Sequence, residues 1–456
     1  IRSGGSAFGP VPQGRWRGAD LVRGAFLADA WDFDAARFGV SDREAILIDP
    51  QQRLLLEQTL AALADAGRPD RRPGEDVAED VAVGVFVGCS EGDYAHALEA
   101  AGHPLEPQSL AALLPSSSAA RIAHAFGFEG PAMTLDLACA SGLAALHVAA
   151  GALRRGECRL AVVGAASVQS GPAFTRRVAS AGLLSASGVP RPFQPDGDGI
   201  VLGEGAVVLV LKPLAAARAD GDRVRAVLRG TALRQAGRGD GLTAPSAAAQ
   251  LQVMRDALRD AGLSAADVVA VEAHGVGTVA GDRAEAEALA GLFPDDGGLT
   301  VAVDTVKPVL GHGLAVSGLS ALAVAVLGFR DERGLARLPA DVAFPGRRLV
   351  PSARVKRRIG PTLVNGFSLN GACAAAVLEP AAAEAEPGGR EAGPVMLSAA
   401  LRADLDDRVA ALRRWAAGGA VRPADIAAVL SGDEPRRHRV QVDPRDPARV
   451  LGEAPQ

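Results

Sequence analysis

Three residues stand where reactive side chains are readily presented. Cys139, in Asp136-Leu-Ala-Cys139-Ala-Ser-Gly-Leu143-Ala-Ala-Leu-His147, lies between an apolar strand-like run and a helix of small residues. A thiol at a helix start faces unpaired backbone N–H groups and the positive end of the helix dipole, which favour its thiolate, and the same amides can hold an oxyanion. The plainer reading of such a cysteine is a buried small hydrophobe. His274, in Val-Glu-Ala-His274-Gly-Val-Gly-Thr278, falls where a strand-like run breaks into a glycine-rich turn. His312, in Lys307-Pro-Val-Leu-Gly-His312-Gly, directly precedes an apolar helix. Either histidine alone reads as structural. Three loop-to-element junctions, each carrying a reactive group flanked by glycine or alanine, are hard to attribute to packing, and together they outline a thiol nucleophile served by imidazoles.

Such junctions need a scaffold. Apolar, β-branched runs at Val81–Val87, Leu160–Val163, Ala206–Leu211, Val268–Glu272 and Leu363–Phe367 alternate with Ala/Leu-rich segments of helical period, predicting an α/β protein with centrally buried strands. Two segments, Ser141–Leu153 and Gly313–Leu327, have no charge in their first turns, and their small residues permit close packing in the middle of a layered structure.

The chain has 456 residues, 48% hydrophobic and 22% charged, the balance of a globular protein of more than one packed unit. A net charge of −5 without a basic stripe argues against nucleic acid. The longest apolar stretch, Gly313–Phe329, falls short of the roughly 20 residues that span a bilayer and reads as a buried helix, so no membrane partner is expected. Four cysteines without CxxC or His-paired metal spacing predict neither a disulfide framework nor a metal site, and a reducing cytoplasm fits. An Ala/Glu/Pro/Gly segment at 381–393 reads as a linker, followed by a small unit at 394–456 with an amphipathic stretch, Leu401–Trp415, and a basic group at Arg436, Arg437, His438 and Arg439.

These residues resemble the β-ketoacyl synthases of polyketide and fatty-acid synthesis, within the thiolase-fold group. Gly24-Ala-Phe-Leu27, Phe33-Asp-Ala35, Phe38-Gly39 and Asp49-Pro-Gln-Gln-Arg-Leu-Leu-Leu-Glu57 match the opening of modular ketosynthases. Phe193, Asp198-Gly199, Gly203-Glu-Gly205, Gly281-Asp282 and Glu285-Ala286 fit later motifs. The resemblance implies a duplicated five-layered α/β/α/β/α thiolase-like fold over residues 1–380, with the family's first strand and helix falling before Ile1, and a small C-terminal α/β linker unit. It implies that Cys139 takes an acyl group from the phosphopantetheine thiol of an acyl carrier protein, with no bound cofactor, and then condenses it with a malonyl-type extender after loss of CO₂. His274 and His312 would stabilise the enolate, with Lys307 orienting the pair. The backbone amides of Cys139 and Leu369 would form the oxyanion hole, Thr278 would contact pantetheine, and Phe367, Ser368 and Leu369 would form a gate loop. A homodimer is expected.

The pattern also departs from the family. Leu137, Ala140 and Gly142 replace the usual residues around the nucleophile, Val276 replaces the first of two threonines, and Pro308-Val309-Leu310 replaces Ser-Asn-Ile. The late loop, usually Phe-Gly-Phe-Gly-Gly-Thr-Asn-Ala-His, reads Phe367-Ser-Leu-Asn-Gly-Ala-Cys-Ala-Ala375. Rival readings are an enzyme that loads Cys139 but cyclises its own acyl chain or merely transfers it, a non-catalytic partner subunit, against which Cys139 argues, and a Cys-His hydrolase, which leaves the second histidine unexplained.

Overall fold

The computed structural model describes residues 7–16, 22–67, 82–103, 106–329, 337–356 and 358–381, with 395–399, 406, 409–410, 412, 438–443 and 446–453 in the tail. An antiparallel pair, β1 (Phe8–Pro10) and β2 (Arg23–Ala25), precedes two larger sheets. The first contains β3 (Val83–Gly88), β4 (Ala132–Leu135), β5 (Leu160–Ser167) and β6 (Gly205–Leu211), in the order β4-β3-β5-β6. The second contains β7 (Ala226–Gln235), β8 (Ala270–Glu272), β9 (Val301–Asp304), β10 (Leu349–Pro351), β11 (Thr362–Phe367) and β12 (Ala372–Pro380), in the order β10-β9-β8-β11-β12-β7. The longest helices among the described residues are α1 (Pro50–Asp65), α2 (Ser117–Phe126), α3 (Ser141–Arg155), α4 (Ala247–Ala261), α5 (Val279–Leu292) and α6 (Ser317–Gly328).

The two sheets repeat one plan. In the first, β3 pairs parallel with β4 and β5, and β5 pairs antiparallel with β6. In the second, β8 pairs parallel with β9 and β11, and β11 pairs antiparallel with β12. Helix α3 follows β4 as α6 follows β9, and both helices lie between the sheets, where one apolar cluster joins Leu143, Leu146 and Leu319 to Phe86 and Val163 on one side and to Val364 and Leu378 on the other. Helices α1 and α2 cover the outer face of the first sheet through Leu55, Leu63 and Ile122. Helices α4 and α5 cover the second through Val253, Met254 and Leu289. The layers run α/β/α/β/α, the expected thiolase-like arrangement.

All five strand expectations fall on strands, and the two charge-free segments are the central helices. Their small residues set the spacing. A Cβ on Gly318 would lie 2.6 Å from Leu143 Cγ, and one on Gly142 2.9 Å from the carbonyl oxygen of Ala315. At Gly88, the end of β3, a Cβ would lie 2.5 Å from the backbone carbon of Ser141, so the strand can approach the start of α3 only without a side chain. In the tail, β13 (Val395–Ala399), β14 (His438–Asp443) and β15 (Asp446–Glu453) form an antiparallel sheet. Most of the 401–415 stretch, Arg436, Arg437 and residues 382–393 of the linker lie outside the described residues.

Candidate active site

Cys139 sits in a single 3₁₀ turn, Ala138–Ala140, that leads into α3. Ala138 has φ +49°, a conformation that strains any residue with a Cβ, and neighbours hold it there. Asp136 Oδ1 accepts the Ala138 N–H at 2.9 Å and the Ser90 hydroxyl at 2.8 Å. Ser141 Oγ accepts the Leu137 N–H at 2.8 Å and donates to the Ala138 carbonyl at 2.7 Å. Burial pushes the thiol up to about 11, against the lowering field of Lys307 and of the Cys139 N–H itself. The helix-start argument for a ready thiolate therefore loses to desolvation. Cys373 is pushed to about 11 and Cys89 to about 12 by the same cause. What separates Cys139 from the other three cysteines is access, since it alone is not fully buried.

His274 follows β8 and is presented by two carboxylates from the first turns of α5, one helical turn apart on the same face. Glu285 accepts the His274 N–H at 2.8 Å, the Gly275 N–H at 2.7 Å and the Asn365 side-chain amide at 3.1 Å. Asp282 accepts N–H groups of Val276 at 2.9 Å, Gly277 at 3.1 Å and Phe193 at 2.6 Å. Burial raises both acids, Asp282 to about 7. Gly275 and Gly277 have φ of +44° and +86°, as this tight turn requires. The His274 Nδ1 is buried and has no hydrogen-bond partner among the described residues. Burial and the nearby Lys307 and His312 hold the ring well below the usual histidine pKa.

His312 is fixed by its own turn. Its N–H donates to the Val201 carbonyl at 2.7 Å, and its Nδ1 accepts the Leu314 N–H at 3.1 Å and lies 2.9 Å from Ser317 Oγ. A backbone N–H can only donate, so Nδ1 is the acceptor and the proton of the neutral ring is on Nε2. Burial and Lys307 push this imidazole down to about 3, so the neutral form holds throughout the physiological range. Lys307 is 1% exposed, and its Nζ has no hydrogen-bond partner among the described residues. Burial lowers it to about 8, against the raising fields of Glu285 and Cys139.

The two imidazole centroids are 5.4 Å apart at 87°, and Phe367 stands 5.7 Å from His274. Cys139, His274, His312, Thr278, Phe367, Ser368 and Leu369 line one cavity of about 360 Å³. Lys307 lies behind that wall. The three non-glycine residues with positive φ among the described residues, Ala138, Phe193 and Leu314, all belong to this site: one precedes Cys139, one donates to Asp282 and one donates to His312. Such strain persists only where surrounding structure imposes it.

Several contributors escaped sequence reasoning. Asp282 and Glu285 belong to a motif to which the sequence assigns no role, although an acid pair spaced i, i+3 after a histidine turn is a readable signal. Ser317, Asn365 and Gln250 gave none. The Asp49-Pro-Gln-Gln-Arg segment is largely architectural. Asp49 caps α1 by accepting the Gln51 N–H at 2.8 Å, Arg53 donates to the carbonyls of Ile48, Trp31 and Ile46, and Gln51 reaches the cavity wall. Among the described residues no cluster of three or more His, Cys, Asp or Glu is arranged to hold a metal, and no helix is long and apolar enough to cross a membrane.

Residues 1–217 match the beta-ketoacyl synthase N-terminal domain and residues 225–335 the beta-ketoacyl synthase C-terminal domain. The oxazolomycin ketosynthase domain of Streptomyces albus is 32% identical, with a TM-score of 0.83 over 98% of this chain and 82% of that one. A ketosynthase from module 6 of the bacillaene synthase of Bacillus subtilis is 26% identical, with a TM-score of 0.81 over 97% and 79%. The erythronolide synthase EryA2 of Saccharopolyspora erythraea is 39% identical over 387 residues, 82% of this chain but 11% of that protein. The spectinabilin polyketide synthase system protein NorA' of Streptomyces orinoci is 38% identical over 460 residues, covering 94% of this chain and 12% of that protein. The chain thus spans about an eighth or less of these curated relatives. It belongs to the beta-ketoacyl synthase family of acyl-transferring condensing enzymes.

Proposed function

We propose that this chain is a ketosynthase of polyketide assembly that loads an acyl group onto Cys139 and extends it by decarboxylative condensation. The supporting observation is the shared cavity, in which an accessible thiol faces two imidazoles that burial keeps neutral. The Cys139 sulfur attacks the thioester carbonyl of an acyl group on the phosphopantetheine arm of an acyl carrier protein, and the proton lost by its thiol ends on the departing sulfur, so that the arm leaves as a thiol. A malonyl-type extender then loses CO₂, and its enolate oxygen takes hydrogen bonds from the His312 Nε2–H and from His274. The enolate carbon attacks the acyl carbonyl, and the Cys139 thiolate is released. The backbone amides of Cys139 and Leu369 hold the tetrahedral oxyanion, Thr278 meets the arm, and Lys307 supplies positive potential behind the nucleophile. Neutral donors suit this step, because an enolate is stabilised by hydrogen bonds placed in advance and no proton need be transferred.

The same reading makes residues 1–380 the synthase unit and residues 394–456 a small following unit, supported by the sheet of β13, β14 and β15. The free thiols support a cytoplasmic setting. A homodimer is proposed through the open edge of β4, where Met133 is 39% exposed.

His274→Ala and His312→Ala are expected to accept an acyl group on Cys139, read by mass spectrometry, while CO₂ release from a malonyl-carrier substrate falls roughly a hundredfold to a thousandfold. Equal CO₂ release by all three proteins would reject the condensing role. Bond formation within the loaded chain without extender would favour cyclisation.

A further inference from the structure

The exposed residues of the cavity lining are Glu91 and, on three short segments (residues 243–246 before α4, residues 278–281 at the start of α5 and the 368–371 hairpin turn), Thr243, Pro245, Ala280 and Leu369, which we take as its mouth. Just inside this mouth lies Gln250, in the first turns of α4. Its backbone position is fixed, because its N–H donates to the Ser246 carbonyl at 3.0 Å and the Ser246 hydroxyl caps the helix by accepting the Ala249 N–H at 3.2 Å. One turn further along α4, Met254 Sδ accepts from the Asn365 amide at 3.4 Å, and Asn365 reaches Glu285 beneath His274. Gln250 thus stands on the wall between the rim and the reacting groups.

Its side chain is unusual there. Gln250 is 3% exposed, it lines the cavity, and its Oε1 has no hydrogen-bond partner among the described residues. Of the cavity-lining residues, Gln250 and His274 carry such a buried, unpartnered polar atom. An unmade hydrogen bond of this kind costs about 1 to 3 kcal/mol, so a carboxamide kept in this position matches an occupant that brings its own donor. A carboxamide offers one acceptor and two donors at neutral charge, the complement of a secondary amide.

We propose that Gln250 is a positioning residue that hydrogen-bonds a secondary amide of the pantetheine chain as it passes from the mouth to Cys139. The inference rests on the functional reading above, because it takes the arm as the occupant. It also gives the arm a polar contact from α4, in addition to Thr278 at the start of α5, which Val276 leaves as the remaining hydroxyl of that pair.

The test compares wild type with Gln250→Leu, which keeps the length and removes the hydrogen bonds, and with Gln250→Met should the first variant fail to fold. Cys139 acylation is followed by mass spectrometry with the pantetheine thioester and the S-ethyl thioester of the same acid, the second of which has no amide. The ratio of the two rates should fall about three- to tenfold in the variant, the equivalent of one net hydrogen bond. An unchanged ratio, whether both rates fall or neither does, overturns the proposal. A ratio that falls only when the acyl group carries a hydroxyl assigns Gln250 to the acyl chain and overturns it too. The second readout needs no acyl transfer: free pantetheine should slow Cys139 alkylation by iodoacetamide, and less so in the variant. If wild type accepts no acyl group yet this protection holds and weakens, the condensing reading fails while the Gln250 contact stands. If acylation proceeds but pantetheine protects wild type and variant equally, the contact fails alone.

Discussion

At the level of single residues, the site works through burial more than through intrinsic reactivity. The Cys139 thiol is held at about 11, so its thiolate is a small minority at neutral pH and grows about tenfold per pH unit below that value. Lys307 opposes this by its charge, and loses that charge as pH rises through about 8. Iodoacetamide alkylation of Cys139 should therefore climb steadily from pH 6.5, then flatten near pH 8 as the stabilising cation is neutralised. Lys307→Met should be slower at pH 7 and show no such flattening. A histidine-like inflection near pH 6.5 would contradict the neutral assignment of both imidazoles. Ser317→Ala should cost condensation only modestly, since the Leu314 N–H still fixes the His312 tautomer.

Elements position these residues by approaching one another without side chains. The end of β3 and the start of α3 meet at Gly88. Gly88→Ala should displace the Cys139 turn, at a cost of about 1 to 3 kcal/mol, lowering both thermal stability and acylation. The hairpin turn between β11 and β12 shows a second device. Ser368, where the family pattern has glycine, accepts the Ala372 N–H at 3.1 Å and donates to the Asn370 side chain, while Gln235 holds the Asn370 carbonyl at 2.6 Å. The replaced glycine has become a set of pins, and Leu369 stands 49% exposed on a fastened turn. Ser368→Gly should raise amide hydrogen exchange at 368–371 without altering the melting temperature appreciably. Unchanged exchange would mean that the backbone alone holds the turn.

Considered whole, the molecule is two copies of one strand-and-helix plan with the reactive groups at their junction. Cys139 comes from the first copy, and His274 and His312 come from the second. The edge strand β4 pairs only with β3 among the described residues, and its outer side carries Met133. Met133→Arg should convert the proposed dimer into a monomer by light scattering. A wild-type monomer at dilute concentration would reject the dimer itself.

Much of this was legible in the chain. Buried parallel strands announce themselves as β-branched runs, so five strands could be read directly, and Cys139, His274 and His312, each flanked by glycine or alanine, marked the three junctions. Strand β12 was not legible. Its Ala372-Cys-Ala-Ala-Ala-Val-Leu sequence has weak strand propensity, and it is a strand because it lies between helix layers that only small side chains let so close. Charge states were likewise beyond the sequence. The local motif favoured a thiolate at Cys139, yet desolvation depends on what every other element packs around the sulfur, and that decided the opposite sign. The sequence determined which groups are candidates for the chemistry, because identity and local turn chemistry are properties of a few neighbouring residues. Their protonation, tautomer and mutual distance were decided by contacts between segments as much as 173 residues apart, from Cys139 to His312, which exist only once both sheets have closed on the central helices.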